Sequence, residues 1–182
     1  MAIQIREIEK DRIAELVTYV RNFRKELFPM IDHSVVPEDL ANFEACYMAD
    51  DNAVFLVATD ASGSIIGTIG MRRYDHRFAH LDYTGQVINE VLKLYVEPAY
   101  RRKGLGRALV NALKSEAWQR GIETLYLHTH PFLSGAYEFW AKQGFRMVCQ
   151  DDTEIFRTIH MDLAMIGAAG AAEIDAEIIL EL

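Results

Sequence analysis

Four basic side chains, Arg101, Arg102, Lys103 and Arg107, fall within seven positions of a chain whose formal net charge is −8. Gly104 and Gly106 stand among them, and the β-rich run Val91-Leu92-Lys93-Leu94-Tyr95-Val96-Glu97-Pro98 precedes them. A strand stopped by proline, then a basic turn, then a helix opened by glycines, is an arrangement suited to an anion. The first backbone N–H groups of a helix have no internal partner and carry partial positive charge. Glycines let a phosphate approach that backbone closely, and flanking arginines add charge-assisted hydrogen bonds. The expected ligand chemistry is therefore a diphosphate; the alternative is a solvated, arginine-rich turn before an ordinary surface helix. Leu109 stands where G-x-G-x-x-G needs its third glycine, and no G-x-x-x-x-G-K-S/T run occurs, which excludes a nucleotide-hydrolysing loop.

Little else in the chain has the spacing of a known chemistry. His128 and His130 form an H-x-H pair with no third ligand evident, and Cys46 and Cys149 match neither a metal motif nor a disulfide scaffold, so no metal is expected. The 182 residues suit one domain, and a hydrophobic fraction of 51% allows a sizeable core and excludes wholesale disorder. An excess of acids, with pI ≈ 5.2, argues against a general nucleic-acid binder. Residues 166–182 contain four acids (Glu173, Asp175, Glu177 and Glu181) and no base, so part of that charge belongs to the end of the chain. The N-terminal MAIQIREIEK has no apolar segment of the signal-peptide kind, and no window approaches ~20 apolar residues; a cytoplasmic protein without a membrane span is expected.

The elements that must position the basic turn alternate between strand and helix patterns. A strand begins at Ile3, and Asp11 is placed to cap a helix reaching Lys25, with Ile13, Leu16, Val17, Val20 and Phe23 in helical period. Pro37 suits the first position of a second helix running to Met48. Val54–Thr59 and Ile65–Tyr74 flank Asp60-Ala61-Ser62-Gly63 as a hairpin, and residues 75–86 read as a polar, aromatic loop. Strands are expected at Val87–Val96, Ile122–His128, Phe145–Cys149 and Ile155–Leu163, and helices at Gly104–Arg120 and Ser134–Gln143. Gly121 and Gly144 are the residues expected to end those helices. The sum is an α/β (α+β) domain over residues 1–165, with a central mixed, largely antiparallel sheet flanked by about four helices. Residues 166–182 read as a Gly/Ala linker and an acidic-apolar tail, either disordered or docking Ile174, Ile178, Ile179 and Leu182 on a second protomer as a homodimer contact.

The segment Arg101-x-x-Gly104-x-Gly106 resembles the Q/R-x-x-G-x-G/A signature of the GNAT (Gcn5-related N-acetyltransferase) superfamily. Leu94-Tyr95-Val96-x-Pro98 is similar to the strand leading into it, and Ala136 to Phe145 (AYEFWAKQGF) is similar to the family's A-x-x-F-Y-x-K-x-G-F segment. The resemblance implies a GNAT-like acyl-CoA N-acyltransferase fold. It also implies transfer of an acetyl group from acetyl-CoA to a primary amine of a small molecule or peptide, by direct attack in a ternary complex. The competing function class is a non-catalytic acyl-CoA-binding sensor or regulatory module.

Carried over residue by residue, the resemblance places the coenzyme A diphosphate on Arg101, Arg102, Lys103, Gly104, Leu105, Gly106 and Arg107. It places the pantetheine and thioester along the backbone of Leu94, Tyr95 and Val96, with Ser134 as a further cofactor contact or, alternatively, a helix cap. Glu90 is the implied general base, directly or through water, with His128 and His130 as alternatives. The tyrosine that many family members use as general acid falls at Trp140, and Tyr137, one turn earlier, is the candidate to replace it. The family's frequent asparagine before this helix is absent, with Leu133 and Ser134 there. The implied acceptor pocket draws on Phe28, Pro29, Met30, Asp32, His33, Tyr74, Asp75, His76, Phe78 and Tyr83, whose acids and aromatics suit a cationic amine.

Overall fold

The computed structural model describes residues 2–152, 156–165 and 178–181. Eight strands form one sheet in the order β6-β7-β5-β4-β3-β2-β1-β8. They are β1 (Ala2–Glu7), β2 (Val54–Thr59), β3 (Ile65–Arg73), β4 (Ile88–Val96), β5 (Thr124–Thr129), β6 (Arg146–Asp151), β7 (Thr158–Ala164) and β8 (Ile178–Glu181). The helices are α1 (Ile13–Leu27), α2 (Glu38–Ala41), α3 (Phe43–Tyr47), α4 (Leu105–Gln119) and α5 (Ala136–Lys142). Neighbouring strands run antiparallel except β4 and β5, which are parallel. That one parallel pair is joined by the crossover through α4, as parallel strands require.

Period-two alternation builds two apolar layers. Val54, Leu56 and Ala58 of β2 join Leu105, Leu109 and Leu113 of α4 on one face, whereas Phe55 and Val57 join Leu16, Val20 and Phe23 of α1 and Phe43 and Tyr47 of α3 on the other. Helices therefore cover both faces of the sheet centre, and every residue of β2 is buried. A third cluster, Tyr74, Leu81, Tyr83, Ile88 and Tyr126, lies where the chain between β3 and β4 folds over the sheet. Among the described residues no helix is long and apolar enough to cross a membrane.

Several local expectations need correction. Asp11 does not cap α1: residues 10–12 form a 3-10 turn, and the N-cap is Arg12, without a side-chain cap. The expected second helix is two short ones, because Asn42 (φ −113°, ψ 41°) leaves helical geometry, and Pro37 is the N-cap rather than the first helical residue. Ser134 does not cap α5; Gly135, at φ +76°, takes that position. At the C-terminal end, the backbone of Ile178–Glu181 forms an outer strand paired with β1 of the same chain, Ala2 opposite Glu181 and Ile5 opposite Ile178. The linker expected at residues 166–177 lies outside the described residues.

Candidate active site

The site begins where two parallel strands part. β4 and β5 pair only at Ile88/Thr124, Asn89/Leu125 and Glu90/Tyr126. Beyond Glu90, β4 continues against β3 as far as Val96, while β5 continues against β7. The backbone edge of β4 from Val91 onward therefore faces a widening gap, open to an extended ligand that pairs as a strand would. A bulge supports this divergence: Thr68 lies opposite Tyr95 and Gly70 opposite Leu92, so β4 spends an extra residue there. Lys93 sits at the bulge with φ +56°, a left-handed conformation costing roughly 1–2 kcal/mol for a residue with a side chain. Two anchors hold it. Its carbonyl accepts the Thr68 hydroxyl at 2.7 Å, and its ammonium pairs with buried Asp39, which also accepts the Tyr47 hydroxyl at 2.7 Å.

Past Val96 the chain turns through Pro98–Tyr100, and α4 starts at Leu105 with Gly104 as its N-cap. Gly104 has φ +90°, which a side chain would strain, and it offers no capping group of its own to the first helical N–H donors. Gly106, one position into α4, admits a close approach: a Cβ there would stand 3.3 Å from the Phe139 ring. Arg102, Lys103 and Arg107 are exposed, and among the described residues no carboxylate is salt-bridged to them. Leu105 is buried, so only its backbone faces this turn. The geometry is that of an anion cradle built from amides and flanked by three cations.

Two cofactor candidates point elsewhere through their side chains. Arg101 donates from Nε to the Val96 carbonyl at 2.7 Å and lies 5.2 Å over the Tyr95 ring. Tyr95 stacks on Phe23 at 4.4 Å and donates its hydroxyl to Glu26 at 3.0 Å. Both fasten the end of β4 to α1. Leu94 and Val96 are half-buried and pack toward the α4 layer, leaving backbone as the part of this stretch that faces the gap.

Glu90 sits at the fork, 2% exposed. His128 Nδ1 lies 3.1 Å from Glu90 Oε1, and Arg77 reaches the same carboxylate with both terminal nitrogens, Nη1 at 2.9 Å from Oε2 and Nη2 at Oε1. Burial alone would raise the Glu90 carboxyl, but the hydrogen bonds and charges of His128 and Arg77 outweigh it and lower it from 4.5 to about 2. Arg77 also pairs with Asp75 at 2.9 Å and lies 4.9 Å over the Phe78 ring. Nothing in the sequence singled out Arg77, because it lies in an irregular loop thirteen positions before Glu90. The only available signal was chemical: a buried strand carboxylate needs a cationic or hydrogen-bonding partner.

This arrangement fixes a stability prediction. A carboxyl lowered on folding adds stability above its unfolded value near 4.5, and the gain is lost as pH falls toward about 2, an effect of about 3 kcal/mol. Arg77→Ala removes part of that gain. Urea unfolding should find the variant less stable at pH 7, with the gap to wild type narrowing between pH ~5 and ~2. A gap that is constant with pH would contradict the Arg77–Glu90 coupling.

The other candidates spread around the fork. His130 is half-buried among aromatic rings, 5.1 Å from Phe132 and 5.9 Å from Phe28. Tyr137 on α5 is 37% exposed and Ser134 is exposed, whereas Trp140 is buried against Phe139 and Phe145, each at 5.2 Å. Asp32 is taken up by its own turn, bonding the amide and hydroxyl of Ser34 at 2.8 Å, and His33 Nε2 meets the Phe28 carbonyl at 2.9 Å. Tyr74 and Tyr83 are buried with Tyr126, and Met30 is exposed. Of the expected acceptor-pocket residues, Phe28, Tyr74, Asp75 and Phe78 contact the His128–Arg77–Glu90 group or His130.

Comparison with known proteins agrees with this geometry. Residues 17–145 match the family model described as acetyltransferase (GNAT) family. Over 71 residues the chain is 34% identical to the ribosomal protein bS18-alanine N-acetyltransferase of Escherichia coli K12, covering 38% of this chain and 48% of that one. It spans less than half the length of the curated relatives it matches. The fold is shared with a GNAT-family acetyltransferase from Staphylococcus aureus Mu50 (TM-score 0.73, 24% identity, 90% of this chain and 99% of that one). It is also shared with the PaiA N-acetyltransferase of Thermoplasma acidophilum, solved in complex with coenzyme A (TM-score 0.65, 21% identity, 90% and 99%). The forked β4–β5 pair, the glycine-opened α4 and the match over residues 17–145 place this chain in the GNAT acetyltransferase family.

Proposed function

We propose that the chain transfers the acetyl group of acetyl-CoA to a primary amine of a small molecule or a peptide. The observation that carries this is the parting of β4 from β5 at Glu90, immediately before the amide-and-cation cradle at 102–107. In this reading the diphosphate rests on the N-terminus of α4, and the pantetheine runs along Leu94–Val96. The thioester then reaches the fork beside Glu90 and His128. The neutral amine attacks the thioester carbon, its proton leaves to a base, the C–S bond breaks, and the thiolate departs.

The base position favours a relay. A carboxyl lowered to about 2 is a weak proton acceptor near neutrality. Glu90 accepting from His128 Nδ1–H would orient its Nε2 toward the substrate amine. Glu90 is then a positioning residue, with His128 as the base. Tyr137 is the phenol on α5 that supports the acid role. Tyr137→Phe should lower kcat by roughly tenfold with KM for acetyl-CoA unchanged, and an unaltered kcat would assign thiolate protonation to solvent.

A cationic acceptor is supported by Asp75, Phe78 and Phe28 around the fork, where a guanidinium already lies over the Phe78 ring. For the tail, strand pairing of 178–181 with β1 supports a role in covering the outer edge of β1; a homodimer would arise by exchanging that strand with a second copy. The test of function is thiol release from acetyl-CoA across a panel of small amines and amino-terminal peptides, alongside calorimetric titration of acetyl-CoA. Release with at least one amine is expected; tight binding with no release on any amine would favour the acyl-CoA sensor.

A further inference from the structure

A second constellation lies outside the acyl-transfer site. The Cys149 sulfur and a ring nitrogen from each of His80 and His160 all lie within 4.8 Å of one another. The three residues come from the loop after β3, from β6 and from β7, so no sequence spacing announces them.

The sheet itself brings two of them together. Cys149 and His160 are cross-strand partners, and cross-strand partners project from the same face. They oppose one another because β6 is irregular between Met147 and Cys149: Met147 faces Met161, and a regular ladder would then set Val148 against His160. The extra residue puts the thiol there instead, a re-aiming that bulges commonly perform beside functional sites. His160 is fully buried and held, its Nδ1 2.8 Å from the Tyr126 hydroxyl and its ring 4.7 Å from Phe78. With Nδ1 bonded to Tyr126, coordination would be through Nε2, and an oriented imidazole of this kind is what metal sites require of their supporting residues. His80 stands edge-on to His160 at 5.1 Å and is exposed, so its loop can adjust.

We propose that His80, Cys149 and His160 bind a divalent transition-metal ion of the zinc class and so fasten the loop carrying Arg77 to β6 and β7. One thiolate and two imidazoles form a borderline-soft donor set that suits zinc over magnesium or calcium. Zinc bonds of about 2.0–2.3 Å set tetrahedral ligand atoms roughly 3.3–3.6 Å apart, so separations of up to 4.8 Å call for an adjustment of at most about 1.5 Å. His80, Cys149 and Asp162 line a cavity of about 480 Å³, which has room for water as a fourth ligand. The proposal does not depend on the acetyl-transfer reading.

The test uses the untagged full-length chain, stripped with chelator and titrated with Zn²⁺ by calorimetry and with Co²⁺ by absorption. One equivalent should bind with Kd below about 10 µM, and the Co²⁺ form should show a thiolate-to-metal charge-transfer band. Cys149→Ser should abolish the band, His80→Ala should weaken Zn²⁺ at least tenfold, and Cys46→Ser should change neither. His80 is exposed, so its substitution leaves the fold intact, which circular dichroism would verify. Weaker wild-type binding, or binding indifferent to both His80→Ala and Cys149→Ser, would overturn the site.

Discussion

A Gly104→Asp variant should lose at least about 100-fold in affinity for coenzyme A, close to 3 kcal/mol. Two effects add. Gly104 is held at φ +90°, where any side chain costs roughly 1–2 kcal/mol. A carboxylate at the N-cap of α4 would also stand where the diphosphate charge is placed, and would itself take the amides the ligand needs. No heavy atom lies within 4 Å of a Cβ built there, so the fold should survive with only the backbone cost. Gly104→Ala isolates that cost and should lower affinity by less than about tenfold. Calorimetric titration of both variants separates charge from strain, and equal affinity of Gly104→Asp and wild type would remove the diphosphate from this turn. Gly106→Glu should abolish binding too, but a Cβ there meets Phe139 at 3.3 Å, so misplacement of α4 against α5 would contribute to the loss.

The second large effect is at the fork. Glu90→Gln should reduce kcat by roughly 10- to 1000-fold, and His128→Ala by roughly 100- to 10,000-fold, each with KM for acetyl-CoA within about twofold of wild type. The split matters because neither residue belongs to the turn proposed to hold the diphosphate. The pH profile distinguishes their roles. A carboxyl lowered to about 2 cannot supply an ionisation near neutrality, so any acid limb of kcat/KM there belongs to another group. Glu90→Gln should therefore lower the height of the profile without moving such a limb. Loss of the limb in Glu90→Gln alone would make the carboxylate the direct base.

These two sites differ in how far the sequence revealed them. The cradle was legible because its signals are local: Pro98 stops a strand, Gly104 can take a positive φ, and three cations follow one another. The hairpin around Asp60–Gly63 and the glycines that close α4 and α5 were legible for the same reason. Asp60 bonds the amides of Ser62 and Ser64, and Gly121 and Gly144 have φ of +68° and +92°. The position of Glu90 on the strand leading to the basic turn was also local. Its chemistry was not, because its pKa is set by Arg77 and His128, which tertiary structure alone brings to it.

Other failures share that cause. Ser134 and Asp11 have good capping chemistry, but the backbone placed Gly135 and Arg12 at the helix starts. The left-handed Lys93 is held by Thr68 and Asp39, which precede it in sequence by 25 and 54 positions. The end of the chain, apolar and acidic in alternation, has little local preference until β1 offers an edge to Ile178–Glu181. Trp140 illustrates the converse. Its place in the A-x-x-F-Y-x-K-x-G-F-like segment invites a catalytic comparison, yet its ring is committed to Phe139 and Phe145 in the core.

In the proposed reaction acetyl-CoA enters the fork as an added strand, its diphosphate on α4 and its thioester beside Glu90 and His128. A crystal structure with the non-reactive product coenzyme A tests this most directly. The predicted result is phosphate oxygens within hydrogen-bond distance of the amides of residues 103–107, pantetheine amides bonded to the β4 backbone between Leu92 and Val96, and the sulfur directed at the Glu90–His128 pair. A coenzyme bound elsewhere, or a pantetheine that bypasses the open edge of β4, would contradict it.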